Sequence, residues 1–220
     1  MTPPSSPEQL MQRCHALAGY TLGQLAQDLA CDVPANLKRE KGWAGQLIEQ
    51  ALGATAGSKA EPDFPELGIE LKTLPINRQG KPLESTYVCV APLIGHKHQC
   101  WSESWVCQKL SHVLWLPVLA ERDIPVAERV IGTGFLWQPT PAEQQLLQQD
   151  WEELMDLIAL GGVDQIRGAH GQVLQLRPKA ANSKALTLAI GSDGEPIQTL
   201  PRGFYLKAHF TQQLLGHAFS

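Results

Sequence analysis

No uninterrupted apolar run in the 220-residue chain nears the roughly 18 residues that a membrane-spanning helix requires. Paired cysteines are missing as well: Cys14, Cys31, Cys89, Cys100 and Cys107 are odd in number, scattered and free of any C-x-x-C spacing. That pattern argues against a disulfide framework or a zinc ribbon and fits a reducing compartment, so a cytoplasmic location is expected. Charge is modest, with 18 Lys and Arg against 22 Asp and Glu, while hydrophobic residues make up 43% of the chain. Such a balance excludes a disordered or collagen-like chain and leaves a soluble folded protein with no membrane partner. The opening Met1-Thr-Pro-Pro-Ser-Ser-Pro7 has neither a basic n-region nor an apolar h-region. It is expected to be a short disordered lead rather than a signal peptide, leaving 8–220 as one domain of two intimate lobes.

The net charge of −4 would argue against nucleic acid if it were spread evenly. It is not. Arg167, Arg177, Lys179, Lys184, Arg202 and Lys207 face only Asp193 and Glu195 between 167 and 207, whereas 141–166 holds six acidic residues and no basic one. One part of the surface can meet phosphates while another repels them, or both are ordinary solvated faces.

Thr21 and Gln24 have capping-box spacing, with Leu22, Leu25, Ala26 and Leu29 following at helical intervals. A second helix is predicted over Gly42 to Leu52, with Trp43, Leu47, Ile48 and Ala51 as its buried stripe and Glu49 at the margin. Gly68 to Pro75 alternates as a strand, with Glu70 and Lys72 on one face. Tyr87–Ala91 and Val113–Val118 read as central strands, and Trp101–Leu110 between them as a helix. Thr140-Pro141-Ala-Glu143 opens the longest helix, which ends at Gly161-Gly162. A strand around Val173 to Leu176, a helix from Asn182 to Ile190, a turn at Ser192-Asp-Gly194 and a strand at Gly203–Leu206 complete the pattern. The order of elements is mixed α/β with a largely antiparallel sheet core.

The chemistry lies in Pro62-Asp63, six residues, then Glu70-Leu-Lys72. Phosphodiester cleavage builds charge on the phosphate and the departing oxygen, so a nuclease needs carboxylates that hold divalent cations. Asp63 and Glu70 supply those groups, and Glu49 on the upstream helix is a third candidate. Lys72 leaves the strand on the face of Glu70, where an ammonium can orient a water or stabilise developing charge. A structural ion pair between Glu70 and Lys72 is the competing reading.

This layout resembles the PD-(D/E)xK nucleases, which include many restriction enzymes. The resemblance extends along the chain through Asn36-Leu-Lys-Arg-Glu-Lys-Gly-Trp43, Ala56-Gly-Ser-Lys59, Glu70-Leu-Lys-Thr73, Tyr87-Val-Cys-Val-Ala-Pro-Leu93 and Val113-Leu-Trp-Leu-Pro-Val118. It continues in Asp150-Trp-Glu-Glu-Leu-Met-Asp156, Leu176-Arg-Pro-Lys-Ala-Ala-Asn182 and Leu200-Pro-Arg-Gly-Phe-Tyr-Leu-Lys207. Together these stretches are similar to the MutH family of DNA mismatch-repair endonucleases. The resemblance implies a restriction-endonuclease-like mixed sheet flanked by helices, with two lobes around a DNA cleft. It also implies a Mg2+-dependent enzyme that nicks the unmethylated strand of hemimethylated GATC sites, 5′ of the G, when a MutL-type ATPase activates it.

Carried over by residue, Glu49, Asp63 and Glu70 become metal-site carboxylates, Lys72 the catalytic lysine and Lys109 a second lysine near the site. Lys41, Gly42, Glu84, Tyr87, Arg177, Pro178, Lys179 and Tyr205 become DNA-reading positions. Tyr87 stands where the family leads one to expect Phe. Arginine can contact guanine bidentately, lysine can bind phosphate, and a tyrosine ring can sense a methyl group by packing. The plain alternatives are a polar turn at Arg177–Lys179 and a core role for Tyr205.

Other signals are set aside. Gly53-Ala-Thr-Ala-Gly57-Ser-Lys59 has three residues between its glycines and Ser58 before the lysine, which is not the Walker spacing. His96-Lys-His98-Gln-Cys100, with Cys107 and His112 beyond, has metal-ligand residue types but no second paired motif, so it reads as a solvated loop. No G-x-S-x-G occurs. The rivals to a nickase are a restriction-like enzyme cutting both strands at GATC and a non-catalytic DNA-binding module. A single core of this length has one catalytic centre, and a monomer is expected.

Overall fold

Capping chemistry sets the first helices. In the computed structural model, which describes residues 2–35, 40, 42–57, 59, 61–95, 99–180, 182 and 184–219, α1 (Pro7–Ala16) starts where Ser6 Oγ accepts from Gln9 N. The opening segment, expected to be a disordered lead, instead contributes contacts: Pro4 is buried, and Arg13 Nη1 donates to Thr2 O at 2.7 Å and Leu52 O at 3.0 Å. Helix α2 (Leu22–Asp28) carries the expected reciprocal box, with Gln24 N to Thr21 Oγ1 at 3.1 Å and Thr21 N to Gln24 Oε1 at 2.8 Å. Helix α3 (Trp43–Leu52) runs between Gly42 and Gly53, whose φ angles of 93° and 84° suit glycine. Its stripe of Leu47, Ile48 and Ala51 is buried, and Trp43 packs half-buried against the same core.

The chain divides into two units. The first holds 1–84, 111–138 and 215–220. Its sheet joins β1 (Glu70–Ile76), β3 (Val113–Leu119) and β4 (Phe135–Trp137), and α3 packs on β1. Leu10, Leu22, Leu25, Ile48, Leu52, Phe64, Ile69, Leu114 and Leu116 are among the side chains that fill its core. The β1–β3 pairing is parallel, from Glu70↔Val113 to Ile76↔Leu119, which corrects the expectation of a largely antiparallel core here. Parallel neighbours need a long crossover, and the residues between Ile76 and Val113 supply it.

The second unit holds 85–110 and 139–214. Its main sheet has the order β2 (Thr86–Val90), β8 (Arg202–Leu206), β5 (Leu174–Pro178), all antiparallel. Helix α5 (Pro141–Ala159) begins on the expected Thr140–Glu143 box and packs on β5. The predicted helix over 101–110 is broken in two: Trp101–Glu103 is one 3-10 turn, Ser104 is extended, and its Oγ accepts from Cys107 N at 3.1 Å to restart the chain as α4 (Trp105–Leu110). The predicted helix ending at Ile190 is instead strand β6 (Thr187–Ile190), paired with β7 (Pro196–Thr199). Alternation explains it, since Ala189 is buried beside exposed Leu188, and Gly191 and Gly194 close a tight turn through Gly191 N to Glu195 O at 2.8 Å. Helix α6 (Ala208–Ala218) closes the fold. Among the described residues, no helix is long and apolar enough to cross a membrane.

Candidate functional site

Six residues separate Asp63 from Glu70, yet the backbone folds them together. Phe64 and Ile69 exchange both backbone hydrogen bonds, at 2.9 and 3.3 Å, around the 3-10 turn Pro65–Leu67 and Gly68 at φ 64°. This small loop returns the chain so that Leu71 N donates to Asp63 Oδ2 at 2.8 Å. Thr55 N donates to Asp63 O at 3.1 Å from the loop after α3, fixing the aspartate from a second side. Glu70 begins β1, and its own N donates to His112 O at 3.0 Å. Lys72 Nζ donates to Glu70 Oε1 at 2.7 Å, with side-chain exposures of only 13% and 5%. The two groups share a face as the strand period requires.

Glu49 is half-buried on α3. Among the described residues no three His, Cys, Asp or Glu side chains gather as a metal-holding cluster, so Glu49, Asp63 and Glu70 do not form one as the protein stands. The donors are nonetheless all carboxylate oxygens, which suit a hard cation such as Mg2+; that ion keeps several waters and commonly takes only one or two protein carboxylates. The donor set therefore fits Mg2+ and lacks the nitrogen and sulfur ligands typical of zinc.

In the second unit the register sorts one sheet into two faces. Thr86, Leu206, Leu174, Phe204 and Leu176 point to the buried face. Tyr87, Tyr205, Gln175, Gly203 and Arg177 share the other. On that face the Tyr87 and Tyr205 rings meet edge to face at 5.3 Å between centroids. Lys179 Nζ lies 4.3 Å from the centre of the Tyr87 ring, and Arg177 Cζ lies 5.7 Å from that of Tyr205. Arg177 Nη1 also donates to Ser85 Oγ at 2.6 Å. Burial first, then nearby Cys89 and Tyr205, pushes the Tyr87 phenol up to about 12, so its hydroxyl stays neutral at physiological pH.

The four expected readers Tyr87, Arg177, Lys179 and Tyr205 thus form one aromatic and cationic group, with Pro178 exposed between the two cations. Tyr205 is half-exposed rather than core. Glu84 is exposed just before β2, Gly42 starts α3, and Lys109 is half-buried on α4 in the second unit. Lys41 and the His96–His98 part of the histidine loop lie outside the described residues. Ser85 and Gly203 also touch this aromatic and cationic group and carry no motif; the sequence signal for Gly203 is a lone glycine inside a strand, which marks close approach.

A mixed α/β core with Asp63 and Glu70-x-Lys72 on one edge of a short strand defines a restriction-endonuclease-like protein. Comparison with known sequences narrows the class. The family profile described as DNA mismatch repair enzyme MutH matches residues 52–150. Over 217 residues the chain is 60% identical to DNA mismatch repair protein MutH of Serratia proteamaculans (strain 568), covering 99% of this chain and 95% of the relative. Identity is also 60% to the protein of that name from Shewanella baltica (strain OS185), and 59% to that from Yersinia enterocolitica, covering 99% of this chain and 97% and 95% of those relatives. The chain belongs to the MutH family of DNA mismatch repair enzymes.

Proposed function

We propose that the protein is a Mg2+-dependent endonuclease that nicks the unmethylated strand of hemimethylated GATC sites, on the 5′ side of the G. The observation that carries this reading is the contact of Lys72 with buried Glu70, beside Asp63 on one strand edge. The chemistry supplied there when Mg2+ is bound is stabilisation of negative charge on the phosphate oxygens. Asp63 and Glu70 would hold the ion, with Glu49 as a further carboxylate. Lys72, kept in place by Glu70, orients the attacking water and offsets charge that grows during attack. Lys109 is kept as the second lysine that the family resemblance implies for the chemistry.

Strand and sequence choice fall to the second group. Arg177 reads a base edge, Lys179 meets a phosphate, and Tyr205, backed by Tyr87, senses the adenine whose methylation is read. An N6-methyl group adds bulk in the major groove, so a fixed ring beside it rejects the methylated strand by clash. Pro178 and, on the family resemblance, Lys41, Gly42 and Glu84 are further DNA-contacting positions. The enzyme would act as a cytoplasmic monomer, activated by a MutL-type ATPase.

The test is direct. Purified protein is incubated with Mg2+ and supercoiled DNA carrying unmethylated, hemimethylated or fully methylated GATC sites, with and without the activating ATPase. Nicked product from hemimethylated sites, cut on the unmethylated strand and lost in EDTA, is expected. Linear product from one binding event, or cleavage that persists in EDTA, would reject the reading.

A further inference from the structure

Gly203 sits in the middle strand of the β2-β8-β5 sheet, opposite Arg177 on β5 and Val90 on β2, and two residues from Tyr205 along β8. It is the one position on that stretch of the reading face with no side chain, and it is buried although Arg177 beside it is exposed. What covers it is aromatic. A Cβ built there would lie 3.0 Å from Tyr87 Cε2 and 3.3 Å from Tyr205 Cε2, with Cys89 O also at 3.3 Å. Its φ lies outside the left-handed region, so backbone conformation does not demand glycine. Space does: both rings lean into the notch left by the missing side chain.

We propose that Gly203 is a specificity-determining position, whose missing side chain sets the height of the Tyr87–Tyr205 ring pair above the sheet and thereby the fit of Tyr205 to adenine. The inference rests on the reading that Tyr205 senses that base. Each ring also carries a cation, Lys179 on Tyr87 and Arg177 on Tyr205. A shift of the pair by a few tenths of an ångström is therefore passed to both cations. Gly203 touches no DNA in this scheme; it acts through the rings as a positioning residue.

The experiment measures binding in EDTA, which separates recognition from cleavage, using duplexes with an unmethylated GATC, a fully methylated GATC or a scrambled site. Wild type establishes the preference for unmethylated GATC. Gly203→Ala is expected to reduce that preference about tenfold, the scale of one lost base contact, while affinity for the scrambled duplex falls by much less and the protein stays folded. In a Tyr205→Ser background, Gly203→Ala is expected to add no further loss. An unchanged preference, an equal loss on all three duplexes, or a full additional loss in the Tyr205→Ser background would each overturn the proposal. Should Gly203→Ala fail to fold, the Gly203→Ala/Tyr87→Ala double variant removes the 3.0 Å contact. Recovery of folding supports packing of the rings on Gly203, and failure to recover assigns the glycine to backbone spacing at Cys89 instead. A wild-type protein with no preference among the duplexes rejects the GATC reading itself, which no result on the variant alone can do.

Discussion

A lysine and a glutamate two residues apart on a strand are ordinary, and their environment decides what they do. Glu70 is buried and Lys72, in contact with it at 2.7 Å, is largely covered, so removing the lysine leaves the glutamate charge in a poorly solvated place. Lys72→Ala is accordingly expected to cost about 3 kcal/mol of stability, on the scale for breaking a buried pair, as well as to lower nicking. Replacing both, as Glu70→Gln/Lys72→Met, is expected to restore the melting temperature and leave nicking abolished. That contrast separates the structural share of the pair from the chemical one. Wild-type nicking by folded Lys72→Ala would reduce the pair to structure alone. The sequence made these two residues legible because the strand period is two and the neighbours are apolar. It did not reveal how Asp63 reaches them, because the Phe64–Ile69 bridge is set by backbone hydrogen bonds that no residue type announces. Gly203 was hidden for a related reason: its partners are rings that its own strand and the next one bring over it.

Elements with strong end signals were readable, and those held by distant partners were not. The boxes at Thr21 and Thr140 fixed two helices because each cap is closed within four residues. Pairing of β6 with β7 overrode a helical reading of 182–190 because the hydrogen bonds that stabilise it come from residues beyond the turn. Strand β5 shows the same dependence on a distant element. Asp150 on α5, itself buried, accepts from Gln172 N at 2.7 Å with Oδ1 and from Val173 N at 2.6 Å and Leu174 N at 2.7 Å with Oδ2. Lys207 Nζ takes the carbonyls of the same loop, Gly168 O at 3.0 Å and Gly171 O at 2.6 Å. One carboxylate thus satisfies the amides that lead into the strand carrying Arg177 and Pro178. Asp150→Asn turns an amide N–H toward at least one backbone N–H and is expected to cost about 3 kcal/mol, the order of a charge-assisted bond lost plus a donor left unpaired. Thermal melting with DNA affinity measured beside it checks this; an unchanged melting temperature would show that the loop is held without the clamp.

At the scale of the whole molecule, a net charge of −4 and a DNA-directed function are compatible because charge is placed and not averaged. Arg177 and Lys179 project from one strand end onto the two tyrosine rings, while 141–166 holds six acidic residues and no basic one, five of the six on α5. Electrostatic affinity for a duplex then comes from few phosphate contacts, and each should be visible in the salt dependence. The two cations are expected to differ. Lys179 over the Tyr87 ring is a point charge suited to a phosphate, so Lys179→Ala should weaken GATC and scrambled duplexes alike and flatten the slope of log affinity against log salt by about 0.9. Arg177, anchored by Ser85 and lying against Tyr205, keeps a planar fork that a base edge can accept. Arg177→Ala should cost about 1–3 kcal/mol on GATC and far less on scrambled DNA. Titrations at four or five salt concentrations on both duplexes resolve the pair, and equal losses on every sequence from both variants would return Arg177 to backbone positioning.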